Sequence, residues 1–342
     1  MRHQLGIDLG ASKLTVSARG EGIILEEPSL LAKERQSGQS VAFGEEAKAL
    51  LDERTGKYLA VSPFRESLRS GAYTTETISY LFRKASSTGN RRLILGIPCR
   101  GDEPRDAALI ELAAQAGADE CYLVYTPLAA VIGDGKDFNR AKCILEIGAA
   151  RTNLILVGDG IILYRETVPV AGEAFNAAIV AYLEEQYEMH VSGGAAEQIK
   201  QRIGTVWTGG ERTSVDVTGK HMRTGDIIKK RIWSDEILVA FESPMTAILE
   251  TVCRGLHKLP SEHIRCVLED GILMYGGGSR LSGMQQMIEG ITRVKVASRE
   301  DGVHHFVATG LEKILCRLPD TMQVPVGNIS RNSVRMYMTV SR

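Results

Sequence analysis

Apolar and polar positions fall into one pattern twice along this chain. Residues 6–25 read GIDLGASKLTVSARGEGIIL, residues 144–163 read ILEIGAARTNLILVGDGIIL, and the two align without a gap. Gly10 falls on Gly148, Ala11 on Ala149, Gly20 and Gly22 on Gly158 and Gly160, and Ile23-Ile24-Leu25 on Ile161-Ile162-Leu163. Each copy spells strand, tight glycine turn, strand, glycine turn, strand. A repeat of such long period marks a duplicated domain rather than a solenoid.

The first copy occupies residues 4–31, and the stretch 33–60 is polar with short apolar patches, as in a small inserted subdomain. Residues 74–86 carry helical spacing, with Ile78, Leu81, Phe82 and Ala85 on one face. Residues 93–98 read as a buried strand, 104–117 as a helix ended by Gly117, and 121–125 as another strand. Thr126-Pro127 then opens a short helix, with Thr126 expected as its N-cap and Pro127 first in the helix. After the second copy, which begins at Cys143, the pattern predicts helices over 173–187 and 195–204 and a charged, strand-like insertion at 205–235. One long helix is expected over 236–257, then a strand over 270–275 running into Gly276-Gly277-Gly278-Ser279. A helix at 281–290, a strand at 294–297 and a helix at 307–316 follow. Residues 319–342, with Pro319, Pro325, Gly327, Asn328 and Asn332, read as a loosely ordered arm or a partner-binding strand. Strands alternating with helices give an α/β class, with a ligand crevice between two related halves.

Composition narrows the function without naming it. A chain of 342 residues can bury a large core in two domains. With 41 Lys and Arg against 42 Asp and Glu, the net charge of −1 gives no electrostatic case for nucleic acid as the main partner. Cys99, Cys121, Cys143, Cys253, Cys266 and Cys316 are scattered with no CxxC pair, which points to reduced thiols in a cytoplasmic protein. The first strand is expected by about Leu5, which leaves no room ahead of it for a signal peptide or an amphipathic membrane helix. No apolar run is long enough to cross a bilayer.

Candidate chemistry sits in the repeated turns. In Asp8-Leu9-Gly10-Ala11-Ser12-Lys13, glycine lets the backbone approach a phosphate and successive N–H groups form an anion nest. Asp8 at the strand end suits Mg²⁺ held through water, because that ion keeps much of its hydration, and Lys13 adds a point charge. In the second copy Glu146 answers Asp8 and Arg151 answers Lys13. A third element is the glycine turn at 276–279, placed between an apolar strand and a helix, where a chain can pass flat against a ligand. A fourth is Glu197 and Lys200 at i,i+3 on one helix face, read either as bracketing a ribose and base or as a solvated ion pair.

Two duplicated loops, a triple-glycine turn and two small insertions resemble the actin, DnaK-type chaperone and sugar-kinase ATPase superfamily. The detail resembles one branch, the bacterial actin MreB family, in GIDLGASKLTV, GEGIILEEPSLLA, AQAGADECYLVYTPLAAVIGDG, VAGEAFNAAIVAYLEEQYEMHV, AAEQIKQRIG and GILMYGGGSRLSGM, in order over about residues 4–316. The resemblance implies an actin-like ATPase fold. Two duplicated ribonuclease-H-like domains each carry a small inserted subdomain, with a nucleotide crevice between them. The expected domains are 1–140 with 307–318, carrying an insertion about 33–60, and 141–306, carrying an insertion about 173–245. The tail is 319–342. The resemblance also implies ATP or ADP with Mg²⁺ as ligands. Gly10, Ala11, Ser12 and Lys13 would line the first phosphate loop and Gly148, Ala149, Ala150 and Arg151 the second. Glu197 and Lys200 would contact the nucleoside, Gly276, Gly277, Gly278 and Ser279 would pass beneath adenine and ribose, and Asp8 and Glu146 would hold Mg²⁺ through water.

The departures from that family pattern concern catalysis. The family's second loop is typically Asp-Ile-Gly-Gly-Gly-Thr, whereas this chain has Glu146-Ile147-Gly148-Ala149-Ala150-Arg151. Two methyl groups narrow the turn, Glu146 is a methylene longer than Asp, and Arg151 either clamps a phosphate or pairs with Glu146 and fills the site. The family's water-orienting Glu is Thr126 here, and threonine is no general base at neutral pH. Ala11 replaces a Thr of the first loop, and a further loop glycine expected after Gly310 is replaced near Glu312. Of the three positions that would carry catalysis, Thr126, Asp8 and Glu146, the first is therefore expected to be inactive, and ATP hydrolysis slow or absent.

The expected function is a cytoplasmic cytoskeletal filament or scaffold, serving cell shape or intracellular organisation. Protomers would associate head to tail with help from the ends of the two insertions. The alternative is a non-polymerising, nucleotide-binding adaptor whose tail engages a protein partner. A small-molecule kinase lacks a carboxylate base at the connecting helix, and a DnaK-type chaperone needs a peptide-binding domain that does not follow here. The loop at 86–92, SSTGNRR, has no apolar side chain to bury, which argues against direct membrane insertion.

Overall fold

The computed structural model describes residues 4–53, 56–64, 71–85, 91–99, 103–159, 161–298 and 305–318. Residues 86–90 of the polar loop and the 319–342 tail lie outside the described residues. The chain divides into two compact units, one of Met1–Arg140, Val157–Ile162 and His304–Arg342, the other of Ala141–Leu156 and Leu163–Val303.

The first part of the chain runs β1 (Leu5–Leu9), β2 (Lys13–Ala18), β3 (Gly22–Pro28), β4 (Leu31–Glu34), β5 (Ser40–Phe43), α1 (Gly44–Asp52), β6 (Tyr58–Val61), α2 (Gly71–Lys84), β7 (Arg92–Ile97), α3 (Glu103–Gln115), β8 (Glu120–Tyr125) and α4 (Thr126–Gly133). The second part runs β9 (Lys142–Ile147), β10 (Thr152–Gly158), β11 (Ile161–Val168), α5 (Gly172–Tyr187), β12 (Met189–His190), α6 (Gly193–Ile203), β13 (Ser214–His221), β14 (Ile227–Trp233), α7 (Ser234–Ala240), α8 (Glu242–His257), α9 (Ser261–Asp270), β15 (Ile272–Tyr275), a 3-10 turn (Gly277–Arg280), α10 (Met284–Thr292), β16 (Val296–Ser298) and α11 (Phe306–Arg317).

The sequence repeat reappears as sheet topology. One five-stranded sheet has the order β3-β2-β1-β7-β8 and the other β11-β10-β9-β15-β16. In the first, β1 pairs antiparallel with β2 and parallel with β7, which pairs parallel with β8. In the second, β15 lies parallel between β9 and β16. Every residue of β9 and β10 is buried, as expected for sheet interiors covered on both faces. The small sheets β5-β4-β6 and β12-β13-β14 carry the two insertions.

Each unit has its own core. In the first, Leu5, Ile7, Leu14, Val16, Leu93 and Leu95 of the sheet pack with Ile78, Leu81 and Phe82 of α2 and Leu109 and Ala113 of α3. In the second, Leu145, Ile147, Leu154 and Leu156 pack with Phe175, Ile179 and Leu183 of α5 and Met245, Ile248 and Val252 of α8. Helices α4 and α11 meet through bare backbone: a Cβ on Gly310 would lie 1.8 Å from the Ala129 carbonyl oxygen, and one on Gly133 would lie 1.9 Å from that of Phe306.

Two local expectations are corrected. Tyr125, not Thr126, is the N-cap of α4; Thr126 is the first helical residue and Pro127 the second, still within the turn that needs no N–H from proline. The helix expected over 236–257 is two, α7 and α8, broken at Phe241. Pro244 has no N–H to offer the Ala240 carbonyl and its ring crowds that group. Glu312 lies in α11, within the helix expected over 307–316, and its carboxylate Oε1 accepts the Gly20 N–H at 2.9 Å.

Candidate functional site

In the second unit the repeated turn is built at the end of a buried strand. β9 carries Glu146 and Ile147 to its tip, and the Gly148 N–H donates to the Arg151 carbonyl at 2.9 Å, closing the turn before β10. The carbonyls of Gly148 and Ala149 accept the first N–H groups of α5, from Gly172 at 3.2 Å and Glu173 at 2.7 Å. In a planar trans peptide the next N–H points opposite to the carbonyl. The structure has no cis bond among the described residues, so the amides of Ala149 and Ala150 both point away from α5. Two successive outward amides are the arrangement that binds an anion. The methyl groups of Ala149 and Ala150 leave this backbone geometry intact.

The glycine turn packs on the same loop. Gly276 has φ +88, and a Cβ there would lie 2.4 Å from the Ile147 carbonyl oxygen. A Cβ on Gly278 would lie 2.5 Å from Ile147 Cγ2 and 3.1 Å from the Gly148 carbonyl oxygen. These two glycines therefore make room for a neighbouring strand end, while Gly277 is exposed. Ser279 is buried and donates its hydroxyl to the Gly276 carbonyl at 2.6 Å, which holds the turn.

Glu197 and Lys200 form a fixed cluster on α6. Lys200 Nζ donates to Glu197 Oε2 at 2.8 Å and to the Gly172 carbonyl at 2.9 Å, and its side chain is only 13% exposed. Asn176 Nδ2 donates to the same Glu197 oxygen at 2.7 Å and Gln201 Nε2 to the other at 2.9 Å. Burial pushes the Glu197 carboxyl up, but the hydrogen bonds from Lys200 and Asn176 outweigh it and leave its pKa below the usual value. Lys200 thus joins α6 to the start of α5 and so to the 148–151 turn, which a merely solvated pair would not do. Glu146 is buried, and its Oε2 accepts from Asn153 Nδ2 at 2.7 Å, while Asn153 Oδ1 accepts from Thr167 Oγ1 at 2.7 Å.

The first unit repeats the design with different supports. A Cβ on Gly10 would lie 2.4 Å from the Lys13 carbonyl oxygen, so the turn closes only on glycine. Here Ser62 Oγ donates to the Ala11 carbonyl at 3.0 Å and the Ser29 N–H to the Ser12 carbonyl at 2.9 Å. The amides of Ser12 and Lys13 are turned the opposite way by the same peptide geometry. Asp8, half-buried, faces Thr15 and Gly96 in register on β2 and β7. Thr126 Cγ2 lies 3.1 Å from where a Gly96 Cβ would be, which puts this buried threonine one strand away from Asp8. Lys13 is paired: its Nζ lies 2.5 Å from Glu26 Oε1.

Both turns fit phosphate, because each presents successive outward amides. Among the described residues no three His, Cys, Asp or Glu side chains cluster as a metal cage. Single carboxylates such as Asp8 and Glu146 suit Mg²⁺, which takes few protein ligands and keeps its waters. Residues missed by sequence reasoning are Asn153 and Thr167 behind Glu146, Asn176 beside Glu197, and Glu26 beside Lys13. All are cross-strand or cross-helix partners without a local motif.

A sequence profile described as MreB/Mbl protein matches residues 2–323. The chain belongs to the MreB/Mbl family. Cell shape-determining protein MreB of Escherichia coli (strain K12) is 28% identical over 310 residues, covering 87% of this chain and 89% of that protein. The crystal structure of MreB5 of Spiroplasma citri bound to AMPPNP superposes with a TM-score of 0.85 at 22% identity, covering 92% of this chain and 96% of that one. A MamK double helical filament superposes with a TM-score of 0.78 at 21% identity, covering 93% and 100%. The MreB/Mbl fold is therefore the actin-like α/β fold that the sequence resemblance implied. No described helix of this MreB/Mbl chain is long and apolar enough to cross a membrane.

Proposed function

We propose that this chain is a cytoplasmic actin-like scaffold that binds ATP or ADP with Mg²⁺, hydrolyses ATP slowly or not at all, and assembles head to tail into filaments serving cell shape or intracellular organisation. The observation that carries the reading is the turn at 148–151, whose Ala149 and Ala150 amides are aimed outward by carbonyl anchors on α5 and backed by Lys200. Family membership and the nucleotide in the MreB5 structure support the ligand, and the MamK filament supports assembly.

The residues divide by role. Ala149 and Ala150 in the second turn, and Ser12 and Lys13 in the first, would each offer N–H groups to phosphate oxygens. Lys200 and Glu197 face the nucleoside, and Gly277 is the exposed member of the glycine turn. Mg²⁺, when bound near Asp8 or Glu146, neutralises phosphate charge. Thr126 occupies the place where a carboxylate would orient water, and a buried hydroxyl there neither carries charge nor takes a proton at neutral pH. Exposed apolar side chains at Val41 and Leu59 of the first insertion and Met222 and Ile227 of the second support contacts between copies.

Calorimetry with ATP and Mg²⁺ is expected to show saturable heat, and the same sample to release phosphate far more slowly than an ordinary bacterial actin. Absence of heat and of any thermal shift would overturn the ligand, and ordinary turnover would overturn the inactive Thr126. Nucleotide binding by a chain that stays monomeric at high concentration would favour the adaptor reading.

A further inference from the structure

The first phosphate turn carries a second, competing partner for its own cation. Lys13 opens β2 directly after the turn, and its ammonium is 2.5 Å from Glu26 Oε1 on β3. The same Glu26 oxygen lies 3.0 Å from Nε2 of His305, the N-cap of α11. Glu26 is thus gripped from two elements, which holds its carboxylate on the Lys13 ammonium rather than leaving it to swing in solvent. In the β2–β3 register Lys13 faces Pro28 and Glu26 faces Thr15, so Lys13 reaches diagonally across the strands to make this contact.

We propose that Glu26 is a latch on Lys13: it holds the ammonium away from the turn, and a nucleotide phosphate must displace its carboxylate to recruit the charge. This rests on the reading of the 10–13 turn as a phosphate loop. Glu26 touches neither phosphate nor metal in this scheme; it is a positioning residue that sets how much of Lys13's charge the ligand receives. The hydrogen bond from Lys13, with smaller help from His305, holds the Glu26 carboxyl below the usual range, so the latch is charged throughout neutral pH. All three side chains are partly exposed, so the competition is modest in size and screened by salt.

The consequence is specific to phosphate. Removing the carboxylate charge with Glu26→Gln is expected to tighten ATP binding about two- to five-fold at low salt, an amount fitting an exposed pair. Adenosine, which has no phosphate, is expected to bind the variant and the native chain alike. In Lys13→Gln the Glu26→Gln substitution is expected to leave ATP affinity unchanged, so the double-mutant cycle assigns the gain to this pair. The measurement is calorimetric titration of the full chain and the three variants with Mg²⁺–ATP and with adenosine, each sample checked by its thermal unfolding midpoint. ATP binding that is equal with and without the Glu26 charge overturns the latch while leaving the phosphate turn standing. A gain that persists in Lys13→Gln also overturns it, because the effect then does not pass through Lys13. Failure of the native chain to bind ATP overturns the underlying phosphate reading instead, and the adenosine arm shows whether the nucleoside side survives.

Discussion

Alanine at Gly310 lowers the stability of the first unit by about 3 kcal/mol, the upper end of what overpacking costs. The new Cβ would lie 1.8 Å from the Ala129 carbonyl oxygen and 2.6 Å from its carbon, both backbone atoms of the packed helix α4. Helix propensity alone argues the other way, since alanine is favoured over glycine in a helix interior by about 1 kcal/mol. The steric effect wins because neither backbone can move without opening the α4–α11 contact. Gly290 supplies the contrast. It also lies within a helix, α10, but its Cβ would meet nothing nearer than Trp207 Cζ3 at 3.8 Å, an ordinary contact. Gly290→Ala is therefore expected to be neutral or stabilising by up to about 1 kcal/mol. Urea unfolding followed by circular dichroism separates the two. Equal midpoints for both variants would show that the α4–α11 crossing yields to a methyl group.

Alanine at Gly276 is expected to damage stability and ligand binding together, whereas alanine at Gly277 is expected to damage binding alone. Gly276 sits at φ +88 with a Cβ position 2.4 Å from the Ile147 carbonyl oxygen, so the substitution strains its own backbone and pushes on the end of β9. The loss is about 2–3 kcal/mol of stability, with at least a tenfold weaker grip on ATP because the 148–151 turn shifts with its strand. Gly277 has no positive φ and is exposed, so its backbone conformation suits any L residue. If adenine rests on this turn, that methyl group lifts it and costs about tenfold in ATP affinity with an unchanged unfolding midpoint. Thermal unfolding and calorimetry on the two variants test this. A Gly277→Ala chain that binds ATP normally would mean that the base does not pass over the turn.

Much of this fold was legible because the duplication is ungapped. Glycine-bounded apolar runs located β1 to β3 and β9 to β11, and of the face expected from Ile78, Leu81, Phe82 and Ala85 the first three are buried on α2 while half-buried Ala85 lies just past its end. The repeated sheet order was not legible, since β1 meets β7 and β9 meets β15 across long stretches of chain. Pro244 was a visible break signal that the apolar spacing over 236–257 ran through. Thr126 looked like a cap because of its type, but helix starts are set by backbone geometry that shifts by a residue without changing the sequence signal. The triple glycine announced a close approach, but only tertiary structure shows that Gly276 and Gly278 approach Ile147 and Gly148. Glu26 was illegible as Lys13's partner because the pairing depends on a strand register that is irregular between Val16 and Ser17.

The most direct test follows the nucleotide through assembly. The full chain is incubated with labelled ATP and Mg²⁺ and pelleted by ultracentrifugation, and the nucleotide in the pellet is separated by chromatography. The expected pellet holds the chain with nucleotide in proportion, still mostly ATP after times at which an ordinary bacterial actin would hold ADP. A pellet free of nucleotide, or one whose nucleotide has become ADP within a few minutes, would contradict a slow actin-like scaffold.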